Sequence, residues 1–172
     1  MLQMTSIDWT ILYWIQENLK CTFLDQAALF FSALGNGGAV WVFTACILIY
    51  TKKYRRYGFI ILLAMLIGLC VGNGILKHTI CRLRPCWQDQ TMELLINRPT
   101  GYSFPSGHAL SSTIAATILY LANSKFAIAA IPLVLAIAFS RLYLFVHFPS
   151  DILSGILLGT FIGWLSVRKI NR

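Results

Sequence analysis

Charged side chains are scarce in this sequence, and acidic side chains are the scarcest. Of 172 residues only 12% are charged, 14 Lys or Arg and 6 Asp or Glu, whereas soluble domains carry about 25%. Hydrophobic residues make up 58% of the chain. A soluble fold of this composition would expose large apolar patches, and a disordered chain requires low hydrophobicity, so both classes are excluded. The composition indicates a protein whose solvent is the lipid bilayer.

The sequence also lacks a CxxC pair, and its five cysteines are scattered. This pattern indicates neither a zinc site nor a disulfide framework. Only Cys81 and Cys86 are close enough in sequence to suggest a bridge, and whether they form a disulfide stays open. The first residues lack both a basic stretch and a small-residue cleavage site, so we expect no cleaved signal peptide.

Five apolar segments approach the roughly 20 residues that a helix needs to cross a bilayer. They are residues 26–50, 57–76, 107–122, 126–145 and 150–167. The first contains the run Gly-Asn-Gly-Gly at residues 35–38, where we expect a break or bend, and the third is short for a full crossing. Glycines spaced four apart predict helix faces that pack closely. They are Gly68 and Gly72 in the second segment, and Gly155, Gly159 and Gly163 in the fifth.

Residues 7–20 have a helical period but too few apolar residues for an obvious span. The apolar stripe consists of Ile7, Ile11, Leu12, Ile15 and Leu19. Asp8 and Glu17 lie on the opposite, polar face. This pattern predicts an amphipathic helix at the membrane interface, with a sixth span as the alternative. The predicted fold is therefore all-α, an integral membrane bundle of five to six transmembrane helices forming one domain over residues 1–172.

The formal net charge of +8 suggests a nucleic-acid partner only until the basic residues are placed. If five spans alternate, one side of the membrane receives Lys52, Lys53, Arg55, Arg56, Lys125, Arg168, Lys169 and Arg172. By the positive-inside rule that side is cytoplasmic. Much of the excess of basic residues is thus explained by the orientation of the chain in the membrane. We therefore expect no nucleic-acid partner. The localisation predicted is a multi-pass protein of the inner or plasma membrane.

Three polar segments interrupt the apolar pattern, and alternating topology brings all of them to the extracytoplasmic side. They read KHTICRLRP at residues 77–85, FPSGH at 104–108 and SRLYLFVHFPSD at 140–151. Lys77, Arg84 and Arg141 can supply three positive charges to one anion, and guanidinium groups match phosphate oxygens. Ser106 and Gly107 open a helix after a proline, where backbone N–H groups face an anion.

Two histidines, His108 and His147, lie at span ends on this same side. One can attack phosphorus while the other protonates the departing oxygen. Asp151 can orient one of the two rings. Pro149 separates His147 from Asp151, so a bond between them must come from the turn before the fifth span.

These segments resemble the three-part signature of the type 2 phosphatidic acid phosphatase superfamily, with no departure at any motif position. The matching patterns are Lys-x6-Arg-Pro from Lys77, Pro-Ser-Gly-His from Pro105 and Ser-Arg-x5-His-x3-Asp from Ser140. The signature covers residues 77–151, and the hydrophobic layout extends the resemblance over most of the chain. The superfamily also contains vanadium haloperoxidases, soluble acid phosphatases and glucose-6-phosphatase, so the motif identifies an active site rather than a substrate.

The resemblance implies catalytic roles at matching positions. His147 would be the nucleophile that forms a phosphohistidine, Asp151 would hold its ring, and His108 would be the general acid. The phosphate-binding positions would be Lys77, Arg84, Ser106, Gly107 and Arg141. No metal ion or other cofactor is implied, because cationic side chains stabilise the transition state.

The function predicted is hydrolysis of the terminal phosphate of a membrane lipid, with undecaprenyl diphosphate favoured. Phosphatidylglycerophosphate and phosphatidic acid remain alternative substrates, and transfer of the phosphate to a second lipid is an alternative reaction. A phosphate-lipid binding or transport protein without turnover is a hypothesis of another class. A vanadate-dependent peroxidase is a third, disfavoured by burial in a membrane. The expected partners are the lipid substrate and the bilayer, and the oligomeric state is left open.

Other polar residues near the motifs are predicted to have ordinary surroundings. We expect Arg82 and Arg98 to be solvated loop charges, with contact to the substrate as the alternative, and His78 to be an interfacial neighbour. The segment from Cys86 to Tyr102 is long for a connection in this chain, which is typical of a lid or a mobile segment.

Overall fold

The structure, a computed structural model, describes residues 6–170, and within that range every regular element is helical. The α-helices are α1 (Ser6–Asn18), α2 (Thr22–Gly35), α3 (Ala39–Tyr50), α4 (Arg55–Leu69), α5 (Lys77–Ile80), α6 (Pro85–Gln88), α7 (Gly107–Ala122), α8 (Ala127–Tyr143) and α9 (Pro149–Ile170). Four helical stretches are long and apolar enough to cross a membrane, and α7 is a shorter apolar helix. The all-α membrane bundle predicted from the sequence is confirmed. Arg172 lies outside the described residues.

The predicted break in the first span lies at its glycines. Helix α2 ends at Gly35, a short 3₁₀ turn covers Asn36–Gly38, and α3 continues to Tyr50. Gly37 and Gly38 have φ values of 59° and 70°, in the left-handed region that favours glycine. The two helices together form one candidate span, Thr22–Tyr50.

The second span changes its winding before it reaches the first motif. Helix α4 passes into a π-helical segment, Cys70–Leu76, and then into the single turn of α5, which begins at Lys77. Segments of π-helix are rare and occur mostly at functional sites. This one directs Asn73 and Lys77 toward the same cavity.

Helices α7 and α9 pack closely, as the glycine spacing predicts. A Cβ atom placed on Gly155, Gly159 or Gly163 would lie 2.8, 2.7 or 2.9 Å from a backbone oxygen of Ser106, Leu110 or Ile114. A side chain at these positions would therefore push the helices apart. The contact holds the amino-terminal ends of α7 and α9 beside each other, where two of the three motifs lie.

Within the described residues helix α1 has 13 residues, about 20 Å at 1.5 Å per residue, which is less than the roughly 30 Å of the hydrocarbon core. The prediction that Asp8 lies on an exposed polar face of this helix is wrong. Ile7 and Ile11 are exposed, whereas Asp8 is only 3% exposed and is buried beside Leu12 and Ile15. The physical reason is that Asp8 finds an arginine and a hydroxyl partner inside the protein.

The two ends of the bundle differ in charge. The turn that carries Lys52 and Lys53 lies beside the turn that carries Lys125, since Asn123 Nδ2 donates to Tyr54 Oη at 3.1 Å. The three signature motifs lie at the opposite ends of the same helices. The described cysteines, Cys81 and Cys86 among them, are all free thiols, so no bridge joins the base of the long loop.

Candidate active site

The three motifs converge on one polar cavity of about 920 Å³. Six of the eight residues predicted for the site line it: Lys77, Arg84, Gly107, His108, Arg141 and His147. The two others lie just behind the wall. Asp151 is fully buried next to His147, and Ser106 is fully buried at the start of α7.

The three cations are held by neutral oxygen atoms. Lys77 Nζ donates to the Tyr102 carbonyl at 2.7 Å, and Arg84 donates to the carbonyls of Gly101 at 3.1 Å and Val146 at 3.0 Å. Arg141 Nη1 donates to the hydroxyl of Ser32. These bonds fix the direction of each side chain and leave its charge uncompensated.

None of these three cations pairs with a carboxylate anywhere in residues 6–170. Arg84 and Arg141 are nevertheless 7% and 5% exposed. The Nε atom of Arg141 is buried and has no hydrogen-bond partner. Burying positive charge without a counter-charge is costly, so the cavity is suited to an anion with several acceptor oxygens.

His147 lies between Arg84 and Asp151, with one ring nitrogen toward each. Arg84 Nη1 is 3.1 Å from His147 Nε2, and Asp151 Oδ2 is 3.6 Å from His147 Nδ1. Burial lowers the pKa of His147 to about 3, although Asp151 acts in the opposite direction. The ring is therefore neutral at neutral pH. With the proton on Nδ1, Nε2 carries the lone pair and accepts a hydrogen bond from Arg84, which lines the same cavity.

Asp151 obtains its position from the start of α9. Pro149 is the first residue of that helix, and the Phe148 N–H donates to Asp151 Oδ2 at 2.9 Å, an arrangement found at helix amino termini. The Ser103 hydroxyl donates to the same oxygen at 2.5 Å. The turn before the fifth span therefore brings His147 and Asp151 together, as the sequence predicts.

His108 stands on the first turn of α7. Its Nε2 lies 3.1 Å from Asn36 Oδ1, at the break between α2 and α3. Ser106 is the N-cap of α7, and its hydroxyl accepts the Ala109 N–H at 3.5 Å. The helix start predicted at Gly107 is confirmed. The Ser106 side chain caps this helix and does not line the cavity.

The segment after α6 lies over the cavity. Ile96, Asn97, Arg98, Pro99 and Thr100 contribute to its lining. Trp87 Nε1 donates to the Pro99 carbonyl at 3.1 Å, and Arg98 Nε donates to the Cys86 carbonyl at 3.1 Å. The long connection is thus tied to its own base, and Arg98 is exposed, as predicted.

The prediction that Arg82 is a solvated loop charge is wrong. Arg82 is 8% exposed, and it forms ion pairs of 2.6 Å with both Asp8 and Asp151. The physical reason is that two buried carboxylates compensate its charge. Sequence reasoning also missed Asp8 and Ser103, because each contacts Asp151 or its partners only through the tertiary fold. An acidic residue in a largely apolar helix was the one available signal, at Asp8.

A second, apolar cavity of about 390 Å³ adjoins the first between α3, α4 and α7. The two cavities share Asn73, Gly107 and His108. Val42, Leu66 and Leu69 line the apolar cavity and are themselves exposed on the outer face of the bundle. A hydrocarbon chain in the bilayer can therefore lie against the site while a phosphate occupies the polar cavity.

Metal ligands do not cluster in the described part of the chain, where no three His, Cys, Asp or Glu side chains come together. The charged groups that face the polar cavity are cations. Its donor set fits a phosphate or another oxyanion better than a metal ion or an organic cofactor.

Comparison with known proteins finds relatives that are named as phosphatases of lipid phosphates. The chain is 35% identical over 130 residues to an undecaprenyl-diphosphatase of Sulfolobus acidocaldarius, a match that covers 75% of this chain and 63% of that relative. The chain thus spans less than two thirds of that relative's length.

Two solved structures share the fold. Aquifex aeolicus LpxE has a TM-score of 0.82 at 23% identity and covers 97% of this chain and 98% of its own. A PAP2-type phosphatidylglycerolphosphate phosphatase from Bacillus subtilis has a TM-score of 0.79 at 20% identity and covers 99% of this chain and 89% of its own. The family model of the PAP2 superfamily matches residues 53–172. With all three motifs gathered around one oxyanion cavity, the chain belongs to the PAP2 superfamily.

Proposed function

We propose that the protein is a metal-independent lipid-phosphate phosphatase that works through a phosphohistidine on His147. The carrying observation is the set of three uncompensated cations, Lys77, Arg84 and Arg141, around Nε2 of His147. Such a cavity attracts a phosphate and stabilises the charge that develops on its oxygens during transfer. The proposal treats residues 1–172 as one membrane-embedded domain.

The reaction takes two steps. In the first, Nε2 of His147 bonds to phosphorus while the bond from phosphorus to the lipid oxygen breaks, and His108 gives that oxygen a proton. In the second, His108 accepts a proton from water, whose oxygen attacks phosphorus and releases His147 and inorganic phosphate. Asp151 stabilises the positive charge that the His147 ring carries between the two steps.

A lipid substrate is supported by the apolar cavity that adjoins the site. Val42, Leu66 and Leu69 in its lining are exposed, and His108 belongs to the same lining. A soluble phosphate ester would leave this surface unused. We favour undecaprenyl diphosphate, since the Sulfolobus relative is named for that activity. Phosphatidylglycerophosphate and phosphatidic acid are the alternatives, and transfer to a second lipid would use the same residues.

We further propose that the site faces the extracytoplasmic side. The basic turns at Lys52–Arg56 and at Lys125 lie at the end of the bundle opposite the cavity. By the positive-inside rule, that basic end is cytoplasmic.

Phosphate release by the purified protein tests the function. Wild type, His147→Ala and His78→Ala are assayed with EDTA on undecaprenyl diphosphate, phosphatidylglycerophosphate and phosphatidic acid. We expect wild type and His78→Ala to release phosphate at similar rates, and His147→Ala to lose at least about a thousandfold. His78 is the matched control because its ring, which also borders the polar cavity, is exposed and its side-chain hydrogen bond goes to the Gly74 carbonyl rather than to a cation or to His147.

Each other outcome has a definite meaning. Release by His147→Ala at the wild-type rate would contradict the phosphohistidine mechanism. A wild type that binds these lipids and releases no phosphate would favour the binding or transport protein. The relative rates on the three lipids decide the substrate.

A further inference from the structure

A buried chain of charged groups connects α1 to the proposed nucleophile. Arg82 Nη2 bonds to Asp8 Oδ2 and Arg82 Nη1 to Asp151 Oδ1, both at 2.6 Å. Asp151 in turn faces His147 through its other oxygen. We call Asp8, Arg82 and Asp151 the acid–arginine–acid chain. Arg82 and Asp151 lie within the matched family region, whereas Asp8 lies outside residues 53–172.

Every member of this chain is fixed by further contacts. Asp8 accepts the Ser150 N–H at 3.0 Å and the Ser150 hydroxyl at 2.6 Å. That hydroxyl also accepts a bond from Arg82 Nη1 at 2.7 Å. The guanidinium lies 4.1 Å above the centre of the Phe148 ring. Asp8, Arg82 and Asp151 are 3%, 8% and 0% exposed, so solvent does not screen their charges.

The order of the charges decides their effect on His147. With Arg82 alone, the positive guanidinium would cancel the negative charge of Asp151, and the His147 ring would face a neutral pair. Asp8 adds the second negative charge, so the three groups together carry a formal charge of −1. That net charge stabilises the cationic ring formed when Nε2 bonds to phosphorus.

The hydrogen bonds around Asp151 also support a positioning role for Arg82 and Asp8. Arg82 holds Oδ1 of Asp151, while Ser103 and the Phe148 N–H hold Oδ2. The carboxylate therefore cannot rotate away from His147. Since Asp8 anchors the far side of Arg82, the direction of the Asp151 carboxylate depends on a residue of the amino-terminal helix.

We propose that Asp8 and Arg82 are positioning residues for the nucleophile, acting through Asp151, so that α1 completes the active site. This inference rests on the proposed function. It extends that function to a helix that the family model does not cover.

The test compares two aspartates of the same chain. Asp8→Asn keeps the shape and removes the charge that faces Arg82. Asp89→Asn is the matched control, because Asp89 accepts the Tyr13 hydroxyl bond at 3.0 Å and so also anchors α1, without touching Arg82 or Asp151. Both variants are assayed for kcat and KM on the lipid that wild type hydrolyses best, and for inhibition by inorganic phosphate.

For Asp8→Asn we expect kcat to fall by about 10- to 100-fold, the size seen when a residue that orients a metal ligand is removed, which is a comparable positioning role. KM and the inhibition constant of phosphate should stay within about twofold, since Lys77, Arg84 and Arg141 are unchanged. Asp89→Asn should keep wild-type kcat. A helix that merely braced the fold would give the two variants similar losses, or would raise KM.

The inference is overturned if Asp8→Asn has wild-type kcat, or if both variants lose kcat equally. Should Asp8→Asn not be recovered as a monodisperse protein, Ser150→Ala replaces it. That variant keeps both carboxylates and removes the hydroxyl that joins Asp8 to Arg82. We expect a several-fold fall in kcat at constant KM, and an unchanged kcat overturns the inference. Failure of the proposed function is distinguishable, because wild type itself would then release no phosphate.

Discussion

The protonation state of His147 follows from where its ring lies. The ring is 2% exposed, Arg84 is next to Nε2, and Asp151 is beyond Nδ1. Burial lowers its pKa to about 3, against an ordinary value of 6.5. A nucleophile must present a lone pair, so this shift keeps His147 competent in mildly acidic surroundings, where an exposed histidine is largely protonated.

We therefore expect the His147 ring to remain neutral from about pH 7 down to about pH 5. Nitrogen-15 spectra of histidine-labelled protein in detergent micelles measure this directly, with His147→Gln used to assign the signal. Since the folded pKa lies below the unfolded one, protonation would begin only as the pH approaches about 3. Half-protonation near pH 6.5 would contradict the expectation.

At the level of single residues, the sequence predicts the candidate site residues that belong to a motif. Lys77, His108 and His147 belong to motifs that specify them directly. Arg82 and Asp8 are 74 positions apart, and Ser103 and Asp151 are 48 apart. Neither pair belongs to a local pattern, and only the tertiary fold brings their side chains together. Arg82 was for that reason predicted to be solvated.

At the level of elements, the glycine ladder of α9 positions two motifs at once. Gly159 packs against the backbone of α7, whose first turn carries His108, while the first turn of α9 carries Asp151. The spacing between these two helices therefore sets the spacing between His108 and Asp151, two of the proposed catalytic groups.

Replacing Gly159 with alanine should separate the helices. The new Cβ would lie 2.7 Å from the Leu110 carbonyl oxygen, and backbone cannot move aside as a side chain can. We expect the free energy of unfolding to fall by about 1–3 kcal/mol, measured by thermal or denaturant unfolding in detergent. Gly74→Ala is the control, because a Cβ there meets nothing within 4 Å. Equal stability of the two variants would contradict close packing.

Local signals decide which elements the sequence predicts well. The break at residues 35–38 follows from consecutive glycines, and the start of α7 follows from a proline and a serine. The π-helical segment Cys70–Leu76 has no such signal, since it differs from an α-helix only in hydrogen bonding. The facing of α1 was predicted from its apolar stripe and was wrong at Asp8, because a buried ion pair outweighs the periodicity.

At the level of the whole molecule, the two ends of the bundle predict its orientation. Labelling of single cysteines in intact cells measures it, in a background from which the native cysteines are removed. We expect Arg98→Cys, above the polar cavity, to react with a membrane-impermeant thiol reagent. Lys53→Cys, in the exposed basic turn, should react only after the cells are opened. The reverse pattern would place the site in the cytoplasm.

The acid–arginine–acid chain also has a consequence for biosynthesis. Asp8 is translated 142 residues before its partner Ser150, which is followed directly by Asp151. Helix α1 therefore lacks the α9 partner of Asp8 until α9 has been inserted into the membrane. A chain stalled during insertion cannot assemble the support of His147, so the proposed hydrolysis would begin only once α9 is in place.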